Sequence, residues 1–235
     1  MDSISKSLLL FLIFKSCLLS FAQISTNEVK IVGAMKSVMW KGELSGTINL
    51  DTIQNKSHLY GIGPVEFLAG ELLILNGKSY VSKAISPTKM LVEESFEQKA
   101  PFFVSANVEN WLEIILPPSI KTLIDLEQFL NELKKETDSP FVFKLEGAID
   151  SAKIHIVNLP IGSTVRSPEE AHQGQINYPI HNENCTIIGF FSRNHQSIFT
   201  HHDTFMHLHL ITNDLKKMGH LDELHIDVMK LYIAN

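Results

Sequence analysis

From residue 29 to about residue 107 the chain alternates short β-rich runs with turn signals: Lys30-Ile31-Val32, Gly46-Thr47-Ile48-Asn49-Leu50, Leu72-Leu73-Ile74-Leu75, then Ser79-Tyr80-Val81. Asn76-Gly77 between two of these runs predicts a tight hairpin, because both central residues of such a turn take positive φ. Between residues 119 and 136 the period changes. Ile120, Leu123, Ile124, Leu126, Phe129, Leu130 and Leu133 recur three and four apart, which predicts one face of an amphipathic helix. Ser119 is placed to cap it after Pro117-Pro118, and Lys134-Lys135 fall where the helix dipole favours cations. Residues 141–145, 152–157, 186–191, 205–212 and 226–233 read as further strands. Ser167-Pro168-Glu169-Glu170 opens a short helix, and residues 161–184, rich in Gly, Pro, Gln and Asn, read as a long connection. Strands clustered on both sides of one long helix predict an α+β fold: two packed, mostly antiparallel or mixed β-sheet subdomains, roughly 23–140 and 141–235.

Residues 1–22 follow a different pattern. Lys6 precedes the apolar run from Ser7 to Phe14, and Leu18-Leu19-Ser20-Phe21-Ala22 carries small residues one and three places before a cut. This predicts a signal peptide cleaved after Ala22 and a secreted or periplasmic mature chain, residues 23–235. A membrane anchor is disfavoured because Lys15 splits the apolar stretch, leaving neither half near the ~20 residues that span a bilayer. A lipoprotein anchored through Cys17 ranks second, since Lys15 is a poor context for that modification. The charge balance of 20 Lys+Arg against 26 Asp+Glu, net −6, lacks the cations that holding a nucleic acid requires. With Cys17 removed, Cys185 is a lone thiol, expected as a small core residue at the head of an apolar strand.

Histidine is out of proportion: eleven in all, seven of them from His195 to His225. In Met206-His207-Leu208-His209-Leu210 the two-residue strand period sends both imidazoles to one face and the apolar residues to the other. Ten residues separate His209 from His220, which follows the connection Asn213-Asp214-Leu215-Lys216-Lys217-Met218-Gly219, long enough for a returning strand to bring a third imidazole alongside. Three neutral imidazoles form a zinc-type ligand set that leaves a coordination position open for chemistry; an exposed strand face decorated with polar residues is the bland alternative. His201-His202 are adjacent and so point to opposite faces, which lets at most one of them join such a site; His195 and His225 read as ordinary core or surface residues. Glu71 enters an apolar strand, where a carboxylate needs a partner or a metal unless it is simply solvated. No nucleophile elbow, P-loop or dinucleotide-binding glycine motif is present.

The blocks Tyr60-Gly61-Ile62-Gly63-Pro64 and Gly70-Glu71 through Ser79-Tyr80 resemble the N-terminal signature of the α-acetolactate decarboxylases. Thr186-Ile187-Ile188-Gly189-Phe190, His207-Leu208-His209 and Met218-Gly219-His220-Leu221-Asp222 resemble that family's metal-binding half. The resemblance implies a two-domain structure, a homodimer, Zn2+ held by His207, His209 and His220, and Glu71 as the carboxylate beside the metal and the proton carrier. It implies a carboxy-lyase: zinc-dependent decarboxylation of 2-acetolactate (2-hydroxy-2-methyl-3-oxobutanoate), a small-molecule substrate, to acetoin and CO2 through a metal-stabilised enediolate, with no organic cofactor. Where the family carries an arginine this chain reads Lys153-Ile154-His155, so His155 becomes the candidate for positioning the leaving carboxylate. Nothing before Asn235 matches the family's second, C-terminal glutamate. Two other readings stand beside this one: the same metal site acting on a different small keto or hydroxy acid, and an exported metal- or ligand-binding protein without turnover.

Overall fold

A computed structural model describes residues 27–235, so the expected leader and Cys17 lie outside the described residues. The elements in chain order are β1 (Lys30–Gly33), α1 (Met35–Lys41), β2 (Ile48–Asn49), β3 (Leu59–Pro64), β4 (Glu71–Leu75), β5 (Lys78–Ser86), β6 (Lys89–Glu94), β7 (Lys99–Ala100), β8 (Phe102–Asn107) and β9 (Trp111–Ile114). Then follow α2 (Leu123–Leu133), β10 (Phe141–Ile156), α3 (Pro168–Ala171), β11 (Ile176–Phe191), β12 (Met206–Thr212) and β13 (Met218–Ala234). The first sheet has six strands in the order β1-β8-β3-β4-β5-β6. The second runs β10-β11-β12-β13-β9 and closes on itself, because β13 also pairs with β10. Every pairing within these two sheets is antiparallel. The expected α+β architecture of two packed sheets is the one observed.

Strand alternation decides what lies on each side of the second sheet. Met206, Leu208 and Leu210 face a core that Leu126 and Leu130 of α2 complete. Ile211, on the opposite face with His207 and His209, joins Ile62, Leu73, Tyr80 and Val104 of the first sheet in the layer between the sheets. A smaller cluster of Met35, Val38 and Met39 from α1 with Phe102, Val157 and Val165 covers one end of that layer.

Several local expectations shift. Asn76 (φ 48°) and Gly77 (φ 80°) make the tight turn as expected. The strand expected at residues 46–50 shrinks to β2, and Leu50–Thr52 form a 3-10 turn. Helix α2 is shorter than its apolar period: Thr122, not Ser119, caps it, in a capping box with Asp125. At the other end Arg193 donates to the carbonyls of Asn131 (2.6 Å) and Thr137 (2.7 Å), closing the helix before Glu136. Ile124, counted with the buried face, points to solvent at 71% exposure. The two strands expected at 141–145 and 152–157 are one, since the polar residues between them pair with both β11 and β13. The presumed connection 161–184 ends at Ile176, where Tyr178 and Ile180 point inward between exposed Asn177, Pro179 and His181. Helix α1 was not expected; its signal is the i, i+3, i+4 spacing of buried Met35, Val38 and Met39. No helix among the described residues is long and apolar enough to cross a membrane.

Candidate metal centre

The ladder brings the histidines together. His209 pairs across β12–β13 with His220, and His220 pairs across β13–β10 with His155, so three imidazoles form one row over three neighbouring strands. His207 stands two residues along β12 on the same face as His209. Directly opposed side chains lie about 5 Å apart, and ring centroids are 5.0 Å for His207–His209, 5.0 Å for His207–His220 and 5.5 Å for His209–His220. One ring nitrogen from each of His207, His209 and His220 falls within 4.8 Å of the other two, near enough to share one ion. Gly219 allows the close approach: a Cβ there would sit 2.4 Å from the backbone oxygen of His155.

Glu71 reaches the row from the other sheet. It starts β4 at 3% exposure and places Oε2 3.7 Å from Nε2 of His209 and Oε1 4.0 Å from Nε2 of His155. The backbone N–H of Val157 donates to Oε1 at 3.1 Å. Burial pushes the Glu71 carboxyl well above its ordinary range; the Val157 N–H opposes this in part, and the negative charge of Asp222 adds to it. Burial also holds His207 and His220 well below the usual imidazole value and brings His209 down to about 3, with neighbouring imidazoles adding repulsion. All three are therefore neutral, the form that binds metal.

Among the described residues, Nδ1 of His207 and both ring nitrogens of His209 are buried without a hydrogen-bond partner. The backbones of Phe199 and Leu72 pull weakly on these two rings without reaching bonding geometry. Leaving such groups unmade costs about 1–3 kcal/mol each, and a cation that takes the lone pairs removes part of that cost. The donor set fits a borderline ion such as zinc, because three imidazole nitrogens leave a tetrahedral position open.

Two cavities share His201 and His220 in their walls. One, about 20 Å³, lies against Glu71, His155 and His220 beneath Met35, Met39 and Phe102. The other, about 560 Å³, opens along Asp222 past Leu123, Met206 and Leu208. The inner space holds roughly one water, so any larger ligand would have to reach the histidines from the outer cleft.

Of the residues singled out in the sequence, Glu71, His155, His207, His209 and His220 all converge here. His201 stands at the rim, 5.2 Å from the His220 ring, while adjacent His202 is exposed. His195 is half-buried and bonded to Ser192, and His225 is exposed. Asp222 was missed. Its carboxylate oxygens lie 2.8 and 3.0 Å from Nδ1 of His155, and the His-x-Asp spacing along β13 was the available signal.

The family model for alpha-acetolactate decarboxylase matches residues 32–235. The chain belongs to that family. Among curated relatives, the alpha-acetolactate decarboxylase of Brevibacillus brevis is 28% identical over 202 residues, and that of Lactococcus lactis subsp. cremoris strain MG1363 is 26% identical over 192 residues. These alignments take in 82% and 79% of this chain, which spans 65% of the Brevibacillus protein and 75% of the Lactococcus protein. Among solved structures, the alpha-acetolactate decarboxylase of Bacillus subtilis strain 168 superposes with a TM-score of 0.71 at 20% identity, covering 88% of this chain and 85% of that one. A Staphylococcus aureus protein described as of unknown function and similar to alpha-acetolactate decarboxylase gives 0.68 at 18% identity, covering 89% and 86%. At these identities the likeness shows a shared fold.

Proposed function

We propose that this family member is a zinc-dependent carboxy-lyase converting 2-acetolactate to acetoin and CO2. The observation that carries the reading is the meeting of three neutral, buried imidazoles with a buried carboxyl 3.7 Å from one of them. His207, His209 and His220 would hold the ion. When bound, it supplies Lewis acidity toward the hydroxyl and ketone oxygens of a 2-hydroxy-3-keto acid.

In the reaction the C1–C2 bond breaks, its electron pair moves through C2 to the ketone oxygen, and C2 then takes a proton in place of the lost carboxyl. Glu71 is the group suited to give that proton. Burial raises its carboxyl well above the ordinary range and so favours the protonated form, and the Val157 N–H on Oε1 leaves Oε2 as the oxygen to carry the hydrogen. Delivery from one fixed oxygen reaches one face of C2, so the acetoin formed is a single enantiomer. His155 borders the same space through Nε2, where it would position the leaving carboxyl. The apolar side chains of Met35, Met39 and Phe102 line the inner cavity and limit the water that competes for the reacting carbon. Export of the mature chain after cleavage behind Ala22 and assembly as a homodimer belong to the same reading.

The test is incubation of the zinc-loaded chain with racemic 2-acetolactate while acetoin is measured. Acetoin at an enzymatic rate, lost in His207→Ala, is expected. No acetoin from the metal-replete protein overturns the reading in favour of another small keto acid or a binding role.

A further inference from the structure

Asp222 is the residue that the β10–β13 ladder leaves over. Ile154 pairs with Leu221 and Lys153 with Glu223, so Asp222 has no counterpart on β10. A bulge of this kind bends the strand and re-aims a side chain. Its trace is the shift of buried positions on β13 from Leu221 to Leu224, three apart, where an unbroken strand keeps an even spacing. The carboxylate turns inward and holds Nδ1 of His155 with both oxygens. The His155 ring is packed against His220, with centroids 4.6 Å apart, and meets the edge of His172 at 6.1 Å. Its remaining nitrogen, Nε2, faces Glu71.

We propose that Asp222 is a positioning residue that fixes the tautomer of His155, accepting the Nδ1–H so that a lone pair, and not an N–H, is presented to Glu71. A carboxylate has no hydrogen to give, so a neutral imidazole facing it carries its own on Nδ1. The donor to Oε1 of Glu71 is then the backbone N–H of Val157, which sets the carboxyl in one orientation with Oε2 toward His209. With the tautomer reversed, Nε2–H competes for Oε1 and turns Glu71 from that pose. The catalytic consequence rests on the proposed decarboxylation; the tautomer does not.

The first measurement is long-range 1H–15N correlation of the histidine rings in the full chain, metal-free, at pH 8, with the His155 signals assigned by His155→Gln. Wild type and Asp222→Asn, whose amide oxygen still accepts, are expected to show the Nδ1–H pattern, and Asp222→Ala the Nε2–H pattern. An Nε2–H pattern in wild type overturns the proposal, as does Nδ1–H persisting in Asp222→Ala. Wild type and Asp222→Asn decide the matter if Asp222→Ala does not fold.

In turnover, Asp222→Ala is expected to lower kcat about 10- to 100-fold at unchanged KM and zinc content, and to lower the enantiomeric excess of acetoin, with Asp222→Asn restoring both. Zinc lost on Asp222→Ala assigns the carboxylate to coordination and overturns the positioning role. Absence of acetoin from wild type removes the decarboxylase reading while the ring spectra still decide the tautomer.

Discussion

His209 and His220 face each other as a register pair across β12 and β13, with ring centroids 5.5 Å apart, and the rest of the centre is built outward from that pair. His207 follows from the strand period and His155 from the next rung of the ladder. Glu71 is brought from the other sheet by the packing of the two layers.

The register depends on how closely β13 approaches β10, which makes Gly219 a sensitive position. A methyl group at Gly219 meets the His155 carbonyl and pushes the strands apart. Gly219→Ala is expected to lose about 1–3 kcal/mol of stability and to weaken metal affinity, because His220 moves with the strand. Urea unfolding and zinc titration check both; unchanged zinc affinity contradicts the account of the register.

Stability of the metal-free protein carries a signed pH dependence. His207, His209 and His220 have folded-state values below the unfolded one near 6.5, and His209 is down to about 3. As pH falls below about 6.5 the unfolded chain binds protons that the folded chain refuses, so stability is lost on acidification toward 3. Glu71, raised in the fold, works in the opposite sense: its contribution is full below its unfolded value and is lost as pH rises. Three histidines against one carboxyl leave a net loss on acidification of about 3 kcal/mol per pH unit while the carboxyl opposes, and about 4 where it does not. Denaturant midpoints of chelator-treated protein at pH 7.5, 6.5 and 5.5 measure it, and a flat profile contradicts neutral buried imidazoles.

Replacing the Glu71 carboxyl separates proton delivery from metal holding. Glu71→Gln keeps the shape and the Val157 contact but cannot carry the proton. Acetoin formation is expected to fall about 10²- to 10⁴-fold while zinc content stays that of wild type. Retained activity contradicts the role given to Glu71.

Cys185 is expected to be chemically silent in the fold. It is 1% exposed, and burial, aided by the charge of Glu183, pushes its thiol up to about 12. A disulfide reagent at pH 8 should leave it untouched in native protein and titrate it fully in denaturant. Rapid native labelling contradicts the burial.

Local pattern explains which parts of this structure were legible in the sequence. Period-two alternation placed His207 and His209 on one face, and Asn76-Gly77 made its turn, because both depend only on neighbouring residues. The ends of α2 were misplaced because they are set from afar: Arg193 supplies the closing hydrogen bonds from sixty residues away, and Thr122 takes the cap from Ser119. The start of β11 was hidden because its outward positions are Asn177, Pro179 and His181, residues that mimic a loop. Asp222 was visible two residues from His220, but the bulge that turns it onto His155 cannot be read from one strand alone. Glu71 was visible as a carboxylate entering an apolar strand, but its distance from the histidines is a property of the packed sheets.

The central claim is that His207, His209 and His220 share one ion, and metal content tests it most directly. Elemental analysis of the purified chain after equilibration with zinc is expected to give about one ion per chain, falling to near zero in His209→Ala, with a thermal midpoint lowered by about 10 °C on chelation if zinc stands near a thousandfold above its Kd. Zinc retained at the same stoichiometry in His209→Ala, or no zinc bound by wild type, contradicts it.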